Sequence, residues 1–148
     1  MITIKQIEVA KTYPLRLSIL RPGLTLSDCQ YNGDEDPLTA HLGAYHQGEL
    51  VSILSIYHCP LRDEDGWRIR GMATAEHIRN KGIATKLLGA CTDYVLDQQG
   101  DTMIWCTART SALTFYKGLG FKVEGEEFTI KGVGPHYIMI NKKPRRRS

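Results

Sequence analysis

Residues 67–96 read WRIRGMATAEHIRNKGIATKLLGACTDYVL, and this stretch decides the fold of the chain. Its first part has the alternation typical of a β-strand, which predicts that Ile69, Gly71 and Ala73 share one face. Its last part carries apolar residues at helical spacing, from Ile83 to Val95. A strand that leads into an amphipathic helix is therefore the unit around which the rest of the chain is predicted to fold.

A basic turn that contains a glycine joins the strand to the helix: residues 79–84 read RNKGIA. The first turn of a helix leaves backbone N–H groups without partners and carries a partial positive charge. An anion with several oxygens, such as a pyrophosphate, fits that position. The turn therefore predicts a phosphate-binding helix start, at which Gly82 lets the backbone approach the phosphates closely.

The segments before this unit predict a strand, a helix and a hairpin of two strands, at 2–8, 11–21, 41–46 and 50–58. Leu15, Ile19 and Leu20 form the apolar stripe of the predicted helix. The segment 27–39 is rich in Asp and Glu and is predicted to be a long acidic loop. Two interpretations of this loop stay open, a functional segment and a solvated surface excursion.

The segments after the central helix predict a buried strand, a short helix and two closing strands, at 103–106, 112–117, 121–130 and 136–141. Thr110 or Ser111 is a candidate cap for the short helix. The strand at 103–106 follows a helix and is expected to lie parallel to the strand at 67–74. The fold class is therefore α/β (α+β), with a mixed, twisted sheet of about six or seven strands flanked by about four helices.

The composition is that of one ordinary domain, with 42% hydrophobic and 24% charged residues among 148. The formal charge of +3 comes from the end of the chain, because five Lys and Arg residues lie in 142–148. We predict one domain over 1–141 and a basic, disordered tail over 142–148. A cytoplasmic protein with no membrane segment and no nucleic-acid surface on the domain is expected, and a nucleic-acid partner of the tail is the weaker alternative.

Two motifs carry a resemblance to a known family. The pattern R/Q-x-x-G-x-G/A is present at 79–84, and the pattern A-x-x-F-Y-x-x-x-G-F is present at 112–121, with a predicted strand between them. In these motifs the chain resembles the GCN5-related N-acetyltransferases, and the resemblance covers most of its length. One departure is Arg109, since the family often has Asn seven residues before the tyrosine. No P-loop, complete dinucleotide fingerprint, GxSxG or HExxH motif is present.

The resemblance implies the acyl-CoA N-acyltransferase fold, with acetyl-CoA as cosubstrate and no metal. The pantetheine arm would pair with the backbone of residues 72–74, where the two parallel strands separate. A backbone N–H near Met72 or Ala73 would polarise the thioester carbonyl, and Tyr116 would act as a general acid toward the departing thiolate. The predicted cofactor-binding residues are Met72, Ala73, Thr74, Arg79, Asn80, Lys81, Gly82, Ile83, Ala84, Thr85, Arg109 and Tyr116.

The general base and the acceptor are not specified by the sequence. His41 and His136 are candidate bases, and Glu76, the acidic loop and a water chain stay open as alternatives. Glu35 and Asp36 in the loop predict a cationic acceptor, on the ground of charge alone. The four cysteines show no C-x-x-C spacing, so neither a zinc site nor a disulfide framework is expected.

The sequence therefore predicts an N-acetyltransferase that moves an acetyl group from acetyl-CoA directly to a primary amine, without an acyl-enzyme. The acceptor is expected to be a small molecule or a peptide, and the protein is a candidate homodimer. A non-catalytic module that binds or senses acyl-CoA on the same fold is the alternative function.

Overall fold

The computed structural model describes residues 1–146, and seven strands form its framework. Their bounds are β1 (Ile2–Ile7), β2 (Ala40–His46), β3 (Glu49–His58), β4 (Gly66–Thr74), β5 (Met103–Arg109), β6 (Lys122–Ile130) and β7 (Gly134–Asn141). They form one sheet in the order β1-β2-β3-β4-β5-β7-β6. The β4–β5 pair is parallel and the other pairs are antiparallel, which confirms the predicted mixed sheet.

The helices are shorter and less regular than the strands, apart from α2. The α-helices are α1 (Tyr13–Leu15), α2 (Ile83–Gln99) and α3 (Leu113–Lys117). A 3₁₀ turn precedes α1 and a π-type turn follows it, so helical structure extends over residues 9–20. Another 3₁₀ turn, Thr110–Ala112, precedes α3, and no side-chain hydrogen bond caps either of these two elements. The predicted capping by Thr110 or Ser111 is therefore wrong.

The main core lies between α2 and one face of the sheet. Leu87, Cys91 and Val95 of α2 are fully buried there, together with Trp67 of β4 and Ile104 of β5. Burial of a large apolar side chain contributes roughly 1.5–3 kcal/mol. A second, small cluster lies apart from this core and contains four buried side chains, Leu61, Met103, Trp105 and Ile140.

The predicted alternation of β4 is interrupted by a bulge. Arg70 pairs with Ser55 and Ala73 pairs with Ile53, so β4 contains one more residue than β3 between these pairs. Gly71 takes a φ of +65°, and a Cβ placed on it would lie 3.2 Å from the Arg16 Nε. Gly71 therefore does not share the face of Ile69, as the simple alternation predicted, because a bulge changes the alternation beyond it.

The pairing of β4 with β5 is short. It covers only the pairs Gly66–Met103, Trp67–Ile104 and Arg68–Trp105. Beyond Arg68 the two strands separate, so the last residues of β4 have no ladder partner on that side. This separation was predicted, and it leaves an opening in the sheet beside Met72.

The buried side of helical segment 9–20 is polar, not apolar as predicted. Thr12 and Arg16 are its fully buried residues. Arg16 donates hydrogen bonds to both carboxylate oxygens of Asp34, at 2.8 and 3.1 Å, and to the Tyr57 hydroxyl at 3.2 Å. The predicted stripe failed because a charged side chain is buried only where it is paired, and its partner is distant in sequence.

The acidic loop is partly ordered by this same interaction. It contains a 3₁₀ turn, Leu26–Cys29, and Asp34 is only 8% exposed. The interpretation as a wholly solvated excursion is therefore wrong at Asp34. Glu35 and Asp36 are exposed, as expected for loop carboxylates.

The described part of the basic tail contacts the domain. Pro144 is buried, and Arg146 forms ion pairs with Asp93 and Asp97 of α2. Lys142, Lys143, Arg145 and Arg146 are nevertheless exposed, so the disordered tail stays a prediction, and Arg147 and Ser148 lie outside the described residues. No helix within residues 1–146 is long and apolar enough to cross a membrane.

Candidate active site

A cavity of about 690 Å³ lies where the end of β4, the start of α2 and α3 meet. This volume is in the range of ligand pockets, roughly 300–1,000 Å³. Its wall is formed by Ile19, Met72, Ala73, Thr74, Ile78, Arg79, Asn80, Gly82, Ile83, Ala84, Thr85, Ser111, Ala112, Phe115 and Tyr116. The cavity therefore connects the turn that was predicted to bind phosphate with the opening between β4 and β5.

The turn before α2 presents a row of free backbone donors. The first hydrogen bond of the helix is donated by the Lys86 N–H to the Gly82 carbonyl, at 3.2 Å. Within residues 1–146, no acceptor is found for the N–H groups of residues 80–85, and no side chain caps the helix at Gly82. A buried or ligand-facing row of this kind matches an anion with several oxygens.

The backbone conformation of the turn makes this row possible. Asn80 and Gly82 take left-handed conformations, with φ of +63° and +78°. A tight turn that contains left-handed residues can direct successive N–H groups toward one concave side, as in an anion-binding nest. The Arg79 Nε donates to the Thr74 carbonyl at 3.1 Å, so the guanidinium also fixes the turn to the end of β4.

Tyr116 lies at the other side of the cavity and is nearly buried. It is 8% exposed, and its hydroxyl donates a hydrogen bond to the Met72 Sδ at 3.4 Å. Burial, with a contribution from Cys106, raises the pKa of Tyr116 well above its usual value of about 10. The phenol is therefore protonated at neutral pH, which is the state that a general acid requires.

The structure brings most of the predicted cofactor-binding residues together. All of them line the cavity except Lys81 and Arg109. Lys81 is exposed, and Arg109 lies opposite His136 in the β5–β7 ladder.

Several residues of the wall were missed by sequence reasoning. Ile19 was assigned to the apolar stripe of the predicted helix, because an apolar residue that lines a cavity and one that fills a core give the same sequence pattern. Phe115 lies within the second motif, and no role was predicted for Ile78. Ser111 and Ala112 lie in the 3₁₀ turn before α3. Ala112 begins the second motif and Ser111 directly precedes it, which was the signal that could have identified them.

The two candidate histidines differ in how their ring nitrogens are used. In His136, Nδ1 donates to the Gly134 carbonyl at 2.8 Å, which leaves Nε2 as the lone-pair nitrogen of the neutral ring. His136 pairs with Arg109, which is four residues beyond Trp105, as Met72 is four residues beyond Arg68. His136 is buried and, like His41, lies outside the cavity wall, but it belongs to β7, which borders β5 at the opening.

His41 belongs to the buried polar network instead. Its Nε2 donates to the Asp34 carbonyl at 2.9 Å, and its Nδ1 accepts from the Ser55 hydroxyl at 2.6 Å. Burial lowers the pKa of His41 below its usual value. Both nitrogens are engaged, and His41 lies outside the cavity wall, so this geometry offers no free lone pair to an amine.

The acidic residues Glu35 and Asp36 also lie outside the cavity wall. Glu35 lines a separate cavity of about 290 Å³ with His41 and the end of β1.

Cys91 and Cys106 are buried, and burial raises the pKa of Cys106 to about 12. A thiol of this kind is a poor nucleophile at neutral pH. Within residues 1–146, no cluster of His, Cys, Asp and Glu has the geometry of a metal site.

The family follows from comparison with known proteins. Residues 8–121 match the sequence profile of the Acetyltransferase (GNAT) family. The chain therefore belongs to the GNAT family of acetyltransferases, and the predicted family is confirmed. The uncharacterized N-acetyltransferase YitI of Bacillus subtilis (strain 168) is 37% identical over 142 residues, which are 94% of this chain and 95% of YitI.

Solved structures agree with this fold. ElaA of Escherichia coli has a TM-score of 0.77 at 18% identity, over 95% of this chain and 99% of ElaA. An aminoglycoside 6′-N-acetyltransferase solved with coenzyme A has a TM-score of 0.70 at 15% identity, over 99% of both chains. At these identities the likeness concerns the fold alone.

Proposed function

We propose that the protein moves the acetyl group of acetyl-CoA directly to a primary amine. The observation that carries the proposal is the row of free N–H groups of residues 80–85 in the wall of the 690 Å³ cavity. Coenzyme A is a long polyanion, and its pyrophosphate matches this row in charge and in acceptor oxygens. The relative solved with coenzyme A has the same fold and supports the assignment.

The reaction is proposed to occur where the cavity meets the opening beside Met72. A backbone N–H near Met72 or Ala73 would polarise the thioester carbonyl. The C–N bond to the amine forms, the C–S bond breaks, and the Tyr116 hydroxyl gives its proton to the departing thiolate. The amine loses its proton to a base, for which we propose the His136 Nε2, directly or through water.

Calorimetry with coenzyme A tests the cofactor site. We expect the wild-type chain to bind, and we expect Gly82→Ala to weaken binding about tenfold or more, which is about 1.4 kcal/mol. Alanine disfavours a φ of +78°, so the substitution is expected to change the backbone conformation of the turn. Gly48→Ala is the matched control, because Gly48 has a φ of +81° and equally open surroundings in the β2–β3 turn.

Release of free thiol over a panel of amines then tests group transfer. Comparison of acetyl-CoA with longer acyl-CoA thioesters tests the preference for acetyl. Failure of the wild type to bind coenzyme A would overturn the proposal. Tight binding without transfer to any amine would favour the acyl-CoA-binding module over the enzyme.

A further inference from the structure

Two arginines of β4 project from the face of the sheet opposite α2. Trp67 and Ile69 pack in the core beneath α2, so the alternating residues Arg68 and Arg70 extend from the other face. The Arg68 guanidinium carbon lies 4.8 Å from the centroid of the Trp105 ring, which belongs to the second cluster. Both arginines thus lie next to the opening between β4 and β5.

In the described part of the chain, neither guanidinium is paired with a carboxylate. Within residues 1–146, no ion pair and no hydrogen bond involves the side chain of Arg68 or Arg70, and the Arg68 Nε is buried without an acceptor. Arg16, a short distance away, shows the opposite arrangement, with its charge paired to Asp34. Two half-buried cations without carboxylates are an unfavourable arrangement unless an anion from outside joins them.

Aromatic rings hold the two guanidiniums in place. The Arg70 guanidinium carbon lies 4.5 Å from the Tyr31 ring centroid and 6.0 Å from that of Tyr57. A stacked guanidinium keeps its N–H edge free for a planar oxyanion. Burial and the neighbouring charge of Arg70 both lower the pKa of Arg68, so the two cations repel each other in the absence of an anion.

We infer that the acceptor amine carries an anionic group, a carboxylate or a phosphate, which binds between Arg68 and Arg70. This inference rests on the proposed function, because it assigns the acceptor of that reaction. It replaces the cationic acceptor that the acidic loop predicted.

The register of the strands places this anion site close, along β4, to the proposed position of the thioester. Arg68 is the last β4 residue that pairs with β5, and Arg70 lies beyond the point of separation. Met72 is two residues further along β4, on the other side of the bulge at Gly71. The cofactor cavity lies on the side of α2 and α3, so an acceptor enters from the opposite face, with its anion on the arginines and its amine at the thioester.

The acidic loop does not compensate these charges. Asp36 is exposed, and its carboxylate lies beside Gly33, whose surroundings include the Tyr57 ring. Among the described residues it forms no ion pair with either arginine. A cationic amine that approached from this face would meet two uncompensated guanidiniums, which favours the anionic acceptor.

Matched pairs of amines test the inference on the wild-type chain. The pairs are β-alanine with its amide, 4-aminobutyrate with its amide, and phosphoethanolamine with ethanolamine, with putrescine as a cationic probe. Hydrogen bonds to charged groups contribute about 1.5–3 kcal/mol. We therefore expect kcat/KM for acetyl transfer to be about ten- to a hundredfold higher for the anionic member of at least one pair. The preferred pair also distinguishes a carboxylate from a phosphate.

Variants test whether the two arginines carry this preference. Arg70→Gln and Arg68→Gln are expected to raise KM for the anionic amine and to leave KM for its neutral partner and the coenzyme A affinity unchanged. Arg70→Lys retains part of the preference, because it keeps the charge and loses the bidentate edge. Arg146→Gln is the matched control and leaves the preference intact. Thermal unfolding of each variant identifies any that fails to fold, and Arg70→Lys then serves as the informative change.

The outcomes separate this inference from the proposed function. If the wild type binds coenzyme A and transfers acetyl but prefers putrescine or a neutral amine, the acceptor assignment is wrong and the acetyltransferase stands. If Arg70→Gln keeps the preference for the anionic amine, the assignment of the anion site to these arginines is wrong. Absence of coenzyme A binding overturns both. Calorimetry with the anionic amine alone measures its affinity for the protein, which should be weaker in Arg70→Gln.

Discussion

Tyr116 is the residue whose chemical role is easiest to isolate. Its hydroxyl donates to a thioether, so Tyr116→Phe removes the acidic proton with little loss of packing. We expect kcat to fall about a hundredfold, in line with general acid catalysis, while the dissociation constant of coenzyme A stays unchanged. Single-turnover thiol release and calorimetry measure the two quantities. An unchanged kcat would show that solvent protonates the thiolate.

The buried ion pair of Arg16 and Asp34 makes a second prediction at the level of single residues. Hydrogen bonds from Arg16, Tyr57 and the Tyr31 N–H outweigh the effect of burial and lower the pKa of Asp34 below its usual value. Arg16→Met leaves this carboxylate buried without its cation, so we expect the free energy of unfolding to fall by about 3–5 kcal/mol at pH 7. Urea denaturation measures this loss.

The pH dependence of this loss has a definite sign. A carboxylate with a lowered pKa in the folded chain stabilises it above the usual Asp pKa of about 4, and this contribution disappears as the pH falls through the folded-state pKa. The difference between wild type and Arg16→Met should therefore shrink in acid. Arg62→Met, which breaks the exposed pair with Glu124, is the control and should cost at most about 1 kcal/mol. Equal losses in the two variants would contradict the buried role of Arg16.

At the scale of elements, the bulge of β4 sets the register of the residues that follow it, which include the proposed cofactor-binding residues 72–74. Gly71→Ala forces alanine to a φ of +65° and brings its Cβ to 3.2 Å from both the Arg16 Nε and the Tyr31 ring. We expect a loss of stability of about 1–3 kcal/mol. We also expect a large fall in kcat, because a shift of about 1 Å at the reacting groups can reduce the rate about a hundredfold.

A second glycine separates crowding from backbone strain in this test. Gly132 has a φ of +80°, and no atom lies within 4 Å of the position that an added methyl group would take, so Gly132→Ala reports strain alone. The difference in unfolding free energy between the two variants measures the crowding at Gly71. If both variants keep full kcat, the bulge does not position the reacting groups.

The elements that were predictable are those whose signal is local. The β2–β3 hairpin, the start of α2 and the parallel β5 follow from turn residues, periodicity and the handedness of a crossover. The bulge at Gly71 was not predictable, because a glycine in a strand is equally consistent with plain alternation. The burial of Arg16 was not predictable either, because it depends on Asp34, which is distant in sequence. Most of the predicted cofactor-binding residues line one cavity because one short segment supplies them, whereas the arginine face needed the register of two strands.

For the whole molecule, the sheet consists of two parts that are joined by a short ladder. β1 to β4 form one part and β5 to β7 the other, and only three residue pairs connect them directly. α2 packs on both parts through the main core. A ligand that contacts both the end of β4 and α3 would therefore add a further connection between the parts.

This arrangement predicts how ligand binding changes local stability. Coenzyme A at saturation should slow amide hydrogen exchange at residues 72–74 and 80–85, because it accepts hydrogen bonds there and holds β4 against α3. At a concentration of about 100 times the dissociation constant, global stabilisation should reach about 2.7 kcal/mol. Amides of β1, at the far edge of the sheet, should change only by the global amount. Protection spread evenly over the chain, with no excess at these two segments, would place the cofactor elsewhere and would remove the structural basis of the proposed reaction.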